Sequence, residues 1–119
     1  MSLFQRGAFK LHSGAFTDWK IDCDALTDED IETLAEQIGR RFRFGSVEGV
    51  PTGGLRLAVA LERYLLPDSL PLLIVDDVLT TGASMEEQRA GRDAIGVVIF
   101  SRGACPGWVT PIFQEALGL

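Results

Sequence analysis

The sequence predicts a small α/β domain: a mainly parallel core sheet with helices on its faces, preceded by a short β layer. The prediction rests on three features. Apolar, β-branched runs at 44–48, 72–76 and 95–101 alternate with helical-period segments at 27–42, 55–66 and 83–89, and such alternation builds parallel sheets covered by helices. Residues 9–23 show the shorter alternating pattern of paired strands. The run Leu72-Leu73-Ile74-Val75-Asp76-Asp77-Val78-Leu79-Thr80-Thr81-Gly82-Ala83-Ser84 places an acid pair and a hydroxyl- and glycine-rich turn after a buried strand. With 119 residues, one domain is expected, divided into strands over 1–26 and an α/β core over 27–119.

The elements follow in order. Phe9 to Gly14 and Phe16 to Cys23 read as two strands joined by a Ser-Gly turn, with Trp19, Ile21 and Cys23 alternating against Lys20, Asp22 and Asp24. Thr27 is placed as a helix N-cap, with Asp28, Glu29 and Asp30 in a first turn where acids complement the helix dipole. Ile31, Leu34, Ala35, Ile38 and Phe42 fall at helical spacing before Arg40 and Arg41 close the helix. A strand over 44–48 ends in Gly49-Val50-Pro51-Thr52-Gly53-Gly54, and a helix over 55–66 presents Leu57, Leu61 and Tyr64 on one face. The Pro67–Pro71 connector leads to the strand ending at Asp76, and a helix spans 83–89. After the strand 95–101, a Gly/Pro loop covers 102–108. A short helix over 111–117 is expected last, with Pro111 in its first turn.

Composition narrows the function classes. Seventeen acids against eleven Lys and Arg give a formal charge of −6, which argues against nucleic acid or a membrane surface held by a basic face. No apolar stretch approaches the ~20 residues of a membrane helix. Cys23 and Cys105 lie far apart without metal-ligand spacing and read as reduced thiols. With no export signal visible, a cytoplasmic protein is expected. The lysines, Lys10 and Lys20, both precede the core. A nucleoside-triphosphate P-loop, which needs Gly-Lys-Ser/Thr, is therefore excluded, as is a receiver domain with its late lysine.

The chemistry concentrates after three strands, because ligands of parallel sheets bind outside the carboxyl ends of the strands. Asp76 and Asp77, adjacent at a strand end, repel each other unless hydroxyl donors or a divalent cation intervene. Thr80, Thr81, Gly82, Ala83 and Ser84 offer successive backbone N–H groups at a helix start, with Gly82 permitting close approach of a phosphate. A molecule with vicinal hydroxyls and a phosphate satisfies both halves. The bland alternative is a solvated acidic turn with a serine cap.

This stretch resembles the 5-phosphoribosyl-1-pyrophosphate motif of type I phosphoribosyltransferases: apolar strand, two acids, and a Thr-Gly-x-Ser cup. The resemblance implies a small three-layer phosphoribosyltransferase-like sandwich with an N-terminal β hood. It implies that Asp76 and Asp77 hold the ribose hydroxyls, and that Thr80 to Ser84 wrap the 5-phosphate. It implies that Val50, Pro51, Thr52 and Gly53 form the diphosphate loop, where family members often carry a cis peptide. The family often has a basic residue in that loop, whereas the nearest base here is Arg56. Phe9-Lys10-Leu11-His12-Ser13-Gly14 resembles the hood segment of orotate phosphoribosyltransferases, and Ser101-Arg102-Gly103 resembles their last core strand, so His12 and Arg102 are implied base-site residues. His12 stands where the family has Lys. Its alternative is a surface strand residue, and that of Arg102 is a solvated loop charge. Trp108 either lines the base pocket or anchors the terminal helix. The kinship also implies Mg2+ with the diphosphate and a possible homodimer.

One departure stands out. Between Leu66 and Leu72 the family carries a further strand and a long basic loop that closes over the diphosphate, and here only the connector remains. Two functions therefore stay open. One is an enzyme joining phosphoribosyl pyrophosphate to a pyrimidine-type base such as orotate. The other is a non-catalytic binding module that kept the phosphoribosyl pocket and lost the lid.

Overall fold

The computed structural model describes residues 4–10 and 16–114. Strands β1 (Phe4–Lys10) and β2 (Phe16–Ile21) form a separate antiparallel pair, with an irregular register between Arg6 and Phe9. His12 and the Ser-Gly turn lie outside the described residues. After a 3-10 turn at Cys23–Ala25 come α1 (Asp28–Arg41), β3 (Ser46–Gly49), α2 (Leu55–Leu61) with a 3-10 extension to Tyr64, β4 (Leu72–Leu79), α3 (Ala83–Arg89), β5 (Ala94–Ser101) and β6 (Val109–Gln114).

The start of α1 matches its local chemistry. Thr27 Oγ1 accepts from Asp30 N at 3.1 Å, and Asp30 Oδ2 accepts from Thr27 N at 2.9 Å, a closed capping box. Its apolar stripe, Ile31, Leu34, Ala35 and Ile38, is buried. Two expectations need correction. The strand into Asp76 does not stop there but runs to Leu79, because β5 continues alongside and pairs Val78 with Phe100 and Leu79 with Ser101. The expected terminal helix over 111–117 is instead β6 as far as Gln114, parallel to β5, with Pro111 opposite Val98. Local propensity favoured a helix with Pro near its start. The free edge of β5 offered backbone pairing, and Pro is tolerated on an edge strand.

The core sheet runs β3-β4-β5-β6, all parallel. Alternation along the strands divides the core. Leu73, Val75, Val97 and Ile99 pack with α1 and α2, whereas Ile74 and Val98 pack with Met85 of α3. The two crossovers, through α2 and through α3, step across the sheet in the same direction with their helices on opposite faces. They therefore have opposite hands, and one is left-handed against the strong preference of such units. The connector Pro67–Pro71 lies against Gly45, before β3 begins, at the end of the sheet opposite the strands' carboxyl ends.

The capping box gives a direct stability test. Thr27→Ala is expected to lower the unfolding free energy by about 1 kcal/mol in urea titrations, and Thr27→Ser to restore most of it. Equal stability for all three chains would show that the cap contributes nothing.

Candidate functional site

Three segments meet at the carboxyl ends of the strands. The first, residues 49–54, folds back on β4: Val50 N donates to Val75 O at 2.9 Å, and Gly54 N to Val50 O at 2.8 Å. Glycine is required here by contact. A Cβ on Gly54 would strike the Val75 carbonyl, and one on Gly53 would overlap the Asp77 carboxylate. Asp77 thus lies directly against the loop. The Pro51–Thr52 peptide is cis. Val50 is buried in the core, and its N–H is already bonded, so its side chain is structural. Pro51, Thr52 and Gly53 are exposed, and the Thr52 and Gly53 N–H groups have no acceptor among the described residues.

The second segment follows the acids. Asp76 is 7% exposed, and its Oδ1 accepts from Asp77 N at 2.8 Å, while Asp77 Oδ1 accepts from Val78 N at 2.7 Å. Burial first, then the hydrogen bond and charge of Asp77, push the Asp76 carboxyl well above the usual carboxylate range. Asp77 is half-buried. Beyond Leu79, Gly82 takes φ 88° and begins α3 without a side-chain cap, a conformation that favours glycine. Ala83 N donates to Thr81 Oγ1 at 3.3 Å. The N–H groups of Thr80, Thr81, Gly82 and Ser84 have no acceptor among the described residues, and together they suit an anion.

The third segment, 102–108, closes the other side. Arg102 N donates to Leu79 O at 2.9 Å, which sets Arg102 beside the turn that follows β4. A Cβ on Gly82 would lie 3.5 Å from Pro106. Sequence reasoning missed what fixes this loop. The Gly103 carbonyl accepts from Ser101 Oγ and from Gln114 Nε2, each at 2.6 Å. A serine closing an apolar, β-branched run was the available signal for Ser101; Gln114 had none, because its strand was not foreseen. Trp108 does not anchor a terminal helix. It donates Nε1 to Glu86 Oε1 at 2.7 Å and lies under the Arg89 guanidinium, 4.4 Å from the ring centroid, which ties the loop to α3.

Two further residues have settled roles. The Arg56 guanidinium donates to the carbonyls of Leu26 and Cys23 at 2.9 and 3.0 Å, so the base nearest the 49–54 loop in sequence is engaged elsewhere. Cys23 is buried, and its thiol is pushed up to about 12 by burial and by the carboxylates of Asp77, Asp22, Asp24 and Asp76. Among the described residues no three His, Cys, Asp or Glu side chains cluster to hold a metal ion, and no helix is long and apolar enough to cross a membrane.

No family model matches the chain, and no curated protein matches it by sequence. Solved structures do. An orotate phosphoribosyltransferase from Aeropyrum pernix aligns with TM-score 0.70 and 24% identity over 94% of this chain and 88% of that one. An orotate phosphoribosyltransferase from Mycobacterium tuberculosis H37Rv, in complex with Fe(III) dicitrate, aligns with TM-score 0.65 and 18% identity over 99% and 93%. A Leishmania donovani UMP synthase aligns with TM-score 0.69 and 18% identity, covering 94% of this chain but 33% of the larger enzyme. The chain has the phosphoribosyltransferase fold, in the form seen in orotate phosphoribosyltransferases.

The raised Asp76 carboxyl has a calculable consequence. Its anion is disfavoured in the folded state, so folding is unpenalised below the unfolded carboxyl range and loses stability as pH rises through the folded value. Asp76→Asn, which keeps an oxygen for Asp77 N, should stabilise the ligand-free protein by about 1–3 kcal/mol at neutral pH. The gain should vanish below about pH 4. Thermal unfolding across pH checks this, and an unstabilised variant at neutral pH would contradict it. Gly53→Ala should destabilise by about 1–3 kcal/mol through its overlap with Asp77, read in the same melts.

Proposed function

We propose that this crevice binds the phosphoribosyl group of 5-phosphoribosyl-1-pyrophosphate and transfers it to a pyrimidine-type base such as orotate. The observation that carries the reading is the meeting of a carboxylate pair with a row of acceptor-free N–H groups at the carboxyl end of β4. Asp76 and Asp77 accept hydrogen bonds from the ribose 2- and 3-hydroxyls, and the turn from Thr80 to Ser84 receives the 5-phosphate. Thr52 and Gly53 face the diphosphate, and Arg102 meets an acidic or carbonyl group of the base. In the reaction the bond from ribose C1 to the pyrophosphate oxygen breaks with its electron pair leaving on pyrophosphate. A bond from C1 to the base nitrogen forms, and the base's proton passes to solvent. The chain contributes position and hydrogen-bond donors to this transfer. Neither aspartate is required as a proton-transfer base.

Mg2+ fits this site only in company with the substrate. Two adjacent carboxylates fall short of a protein cage, whereas Mg2+ normally takes one or two carboxylates plus phosphate oxygens and water. Bound with the diphosphate, it would offset charge there. The chain is assigned to the cytoplasm on the same reading, since its substrates are soluble metabolites.

A second reading has its own observation. The connector that replaces the lid interval sits at the far end of the sheet, and Arg56 is bonded to Cys23 and Leu26. No basic group of this stretch therefore closes over the diphosphate. On that reading the chain binds phosphoribosyl pyrophosphate or a nucleotide without turnover.

One experiment tests both. The protein is incubated with Mg2+, phosphoribosyl pyrophosphate and a panel of bases including orotate, and pyrophosphate release is followed beside calorimetric binding. Turnover that falls at least about 100-fold in Asp77→Asn supports transfer. Binding without turnover supports the module, and the absence of both defeats the site. Because hydroxyl donors favour ionised Asp76, binding should release protons and tighten from pH 6 towards 8, by up to about tenfold per unit.

A further inference from the structure

Three adjacent strands end in one row. Leu79 of β4 stands opposite Ser101 of β5, and Ser101 opposite Gln114 of β6. All three act on the same two residues. The Leu79 carbonyl accepts from Arg102 N at 2.9 Å. The Gly103 carbonyl accepts from Ser101 Oγ and from Gln114 Nε2, each at 2.6 Å. The backbone at Arg102 is thereby held on both sides, through its own N–H and through the carbonyl of the residue that follows. Gly103 takes φ 151°, a conformation that favours glycine.

These bonds form a stiff mount. Ser101 and Gly103 are buried, so water is a poor substitute for either donor. Two donors occupy both lone pairs of the Gly103 carbonyl. The Ser101 hydroxyl is oriented from behind, since it accepts from the Cys105 thiol at 3.3 Å while it donates. Gln114 is an exposed residue, yet its amide turns back to the end of the sheet rather than to water. Further along the loop Ala104 and Gly107 are exposed. Arg102 thus leaves the sheet from the firmly held end of the loop.

We propose that Ser101 and Gln114 are positioning residues for Arg102, and that through it they confer a preference for a base bearing a carboxylate. The inference rests on the reading above, in which Arg102 meets the base. A guanidinium grips a carboxylate through two parallel N–H donors, and that match tolerates little misplacement. A single carbonyl oxygen makes a looser demand and accepts a donor over a broad range of directions. Holding the backbone at 102–103 therefore favours the carboxylate selectively. Ser101 and Gln114 touch neither ligand nor reacting atoms, and act only through the carbonyl they share. A role confined to fold stability would weaken every ligand alike, whereas a positioning role falls on the base carboxylate alone.

Calorimetry on the full chain with orotidine 5′-monophosphate, uridine 5′-monophosphate and ribose 5-phosphate isolates the base end and needs no turnover. The two nucleotides differ only by the base carboxylate. The wild-type chain should bind the first about tenfold or more tighter than the second. Gln114→Glu sets a carboxylate against the Gly103 carbonyl. It should remove most of that preference, with ribose 5-phosphate affinity kept within about twofold. Acidification towards about pH 5 should restore the preference, because a protonated carboxyl donates again as the amide did. The phosphate and Asp76 titrate alike in both nucleotide complexes and cancel in the ratio. Ser101→Ala should lower the preference less, since Gln114 still donates. If Gln114→Glu fails to fold, Gln114→Leu gives the same loss without recovery in acid. A preference that survives these substitutions, or a loss shared equally by ribose 5-phosphate, overturns the proposal. So does a wild-type chain that binds ribose 5-phosphate and the two nucleotides without distinction. A wild-type chain that binds none of the three defeats the phosphoribosyl reading itself, and the proposal falls with it.

Discussion

The site is organised by a carboxyl group held out of water beside another carboxyl. Asp76 is buried and takes one backbone N–H, and burial with Asp77 at its side costs it charge rather than giving it a counterion. Glycines in the 49–54 loop let backbone press against Asp77 and against the Val75 carbonyl. At the same place the N–H groups of the turn after Leu79 stand without acceptors among the described residues. The two have opposite polarity, and on the proposed reading a phosphorylated sugar would satisfy both. The free protein is therefore less stable here than the same fold would be with neutral side chains, the usual exchange at a binding site.

The rest of the fold holds this arrangement steady. Two apolar layers clamp the sheet, one under α1 and α2 and one under α3. The Arg89 guanidinium on Trp108, together with the bond from Trp108 to Glu86, ties the last loop to α3. Ser101 and Gln114 hold the Gly103 carbonyl, so the backbone bearing Arg102 is pinned from both neighbouring strands. The abbreviated path between α2 and β4 has two effects. It puts the connector at the end of the sheet away from the site, and it leaves β3 as the outermost strand beside an apolar helix face. The connector's place away from the site and, among the described residues, the unpaired outer edge of β3 thus arise from one stretch of sequence.

What could be read locally was read correctly where the determinants are neighbours in the chain. The capping box of α1 needs only Thr27 and Asp30, three residues apart. The span of α3 follows from Gly82 and the residues behind it, and the order of strands and helices follows from apolar period. The last strand failed for the opposite reason. Pro111 to Gln114 lacks a decisive period of its own, and pairing with β5, more than ten residues back, decided its conformation. The end of β4 was misplaced by the same influence, since β5 carries the ladder past the acids to Leu79.

By itself, then, the chain determined the fold class, the acid pair and the glycine-rich turn that follows it, because strand period, turn chemistry and cap geometry are short-range. Only the tertiary structure decided that Asp76 is buried, that Gly53 rests on the Asp77 carboxylate, that Val50 turns inward and that Arg56 is bonded to the 3-10 turn. These outcomes depend on which distant segments share a sheet edge, and burial, electrostatics and steric contact act through space rather than along the backbone.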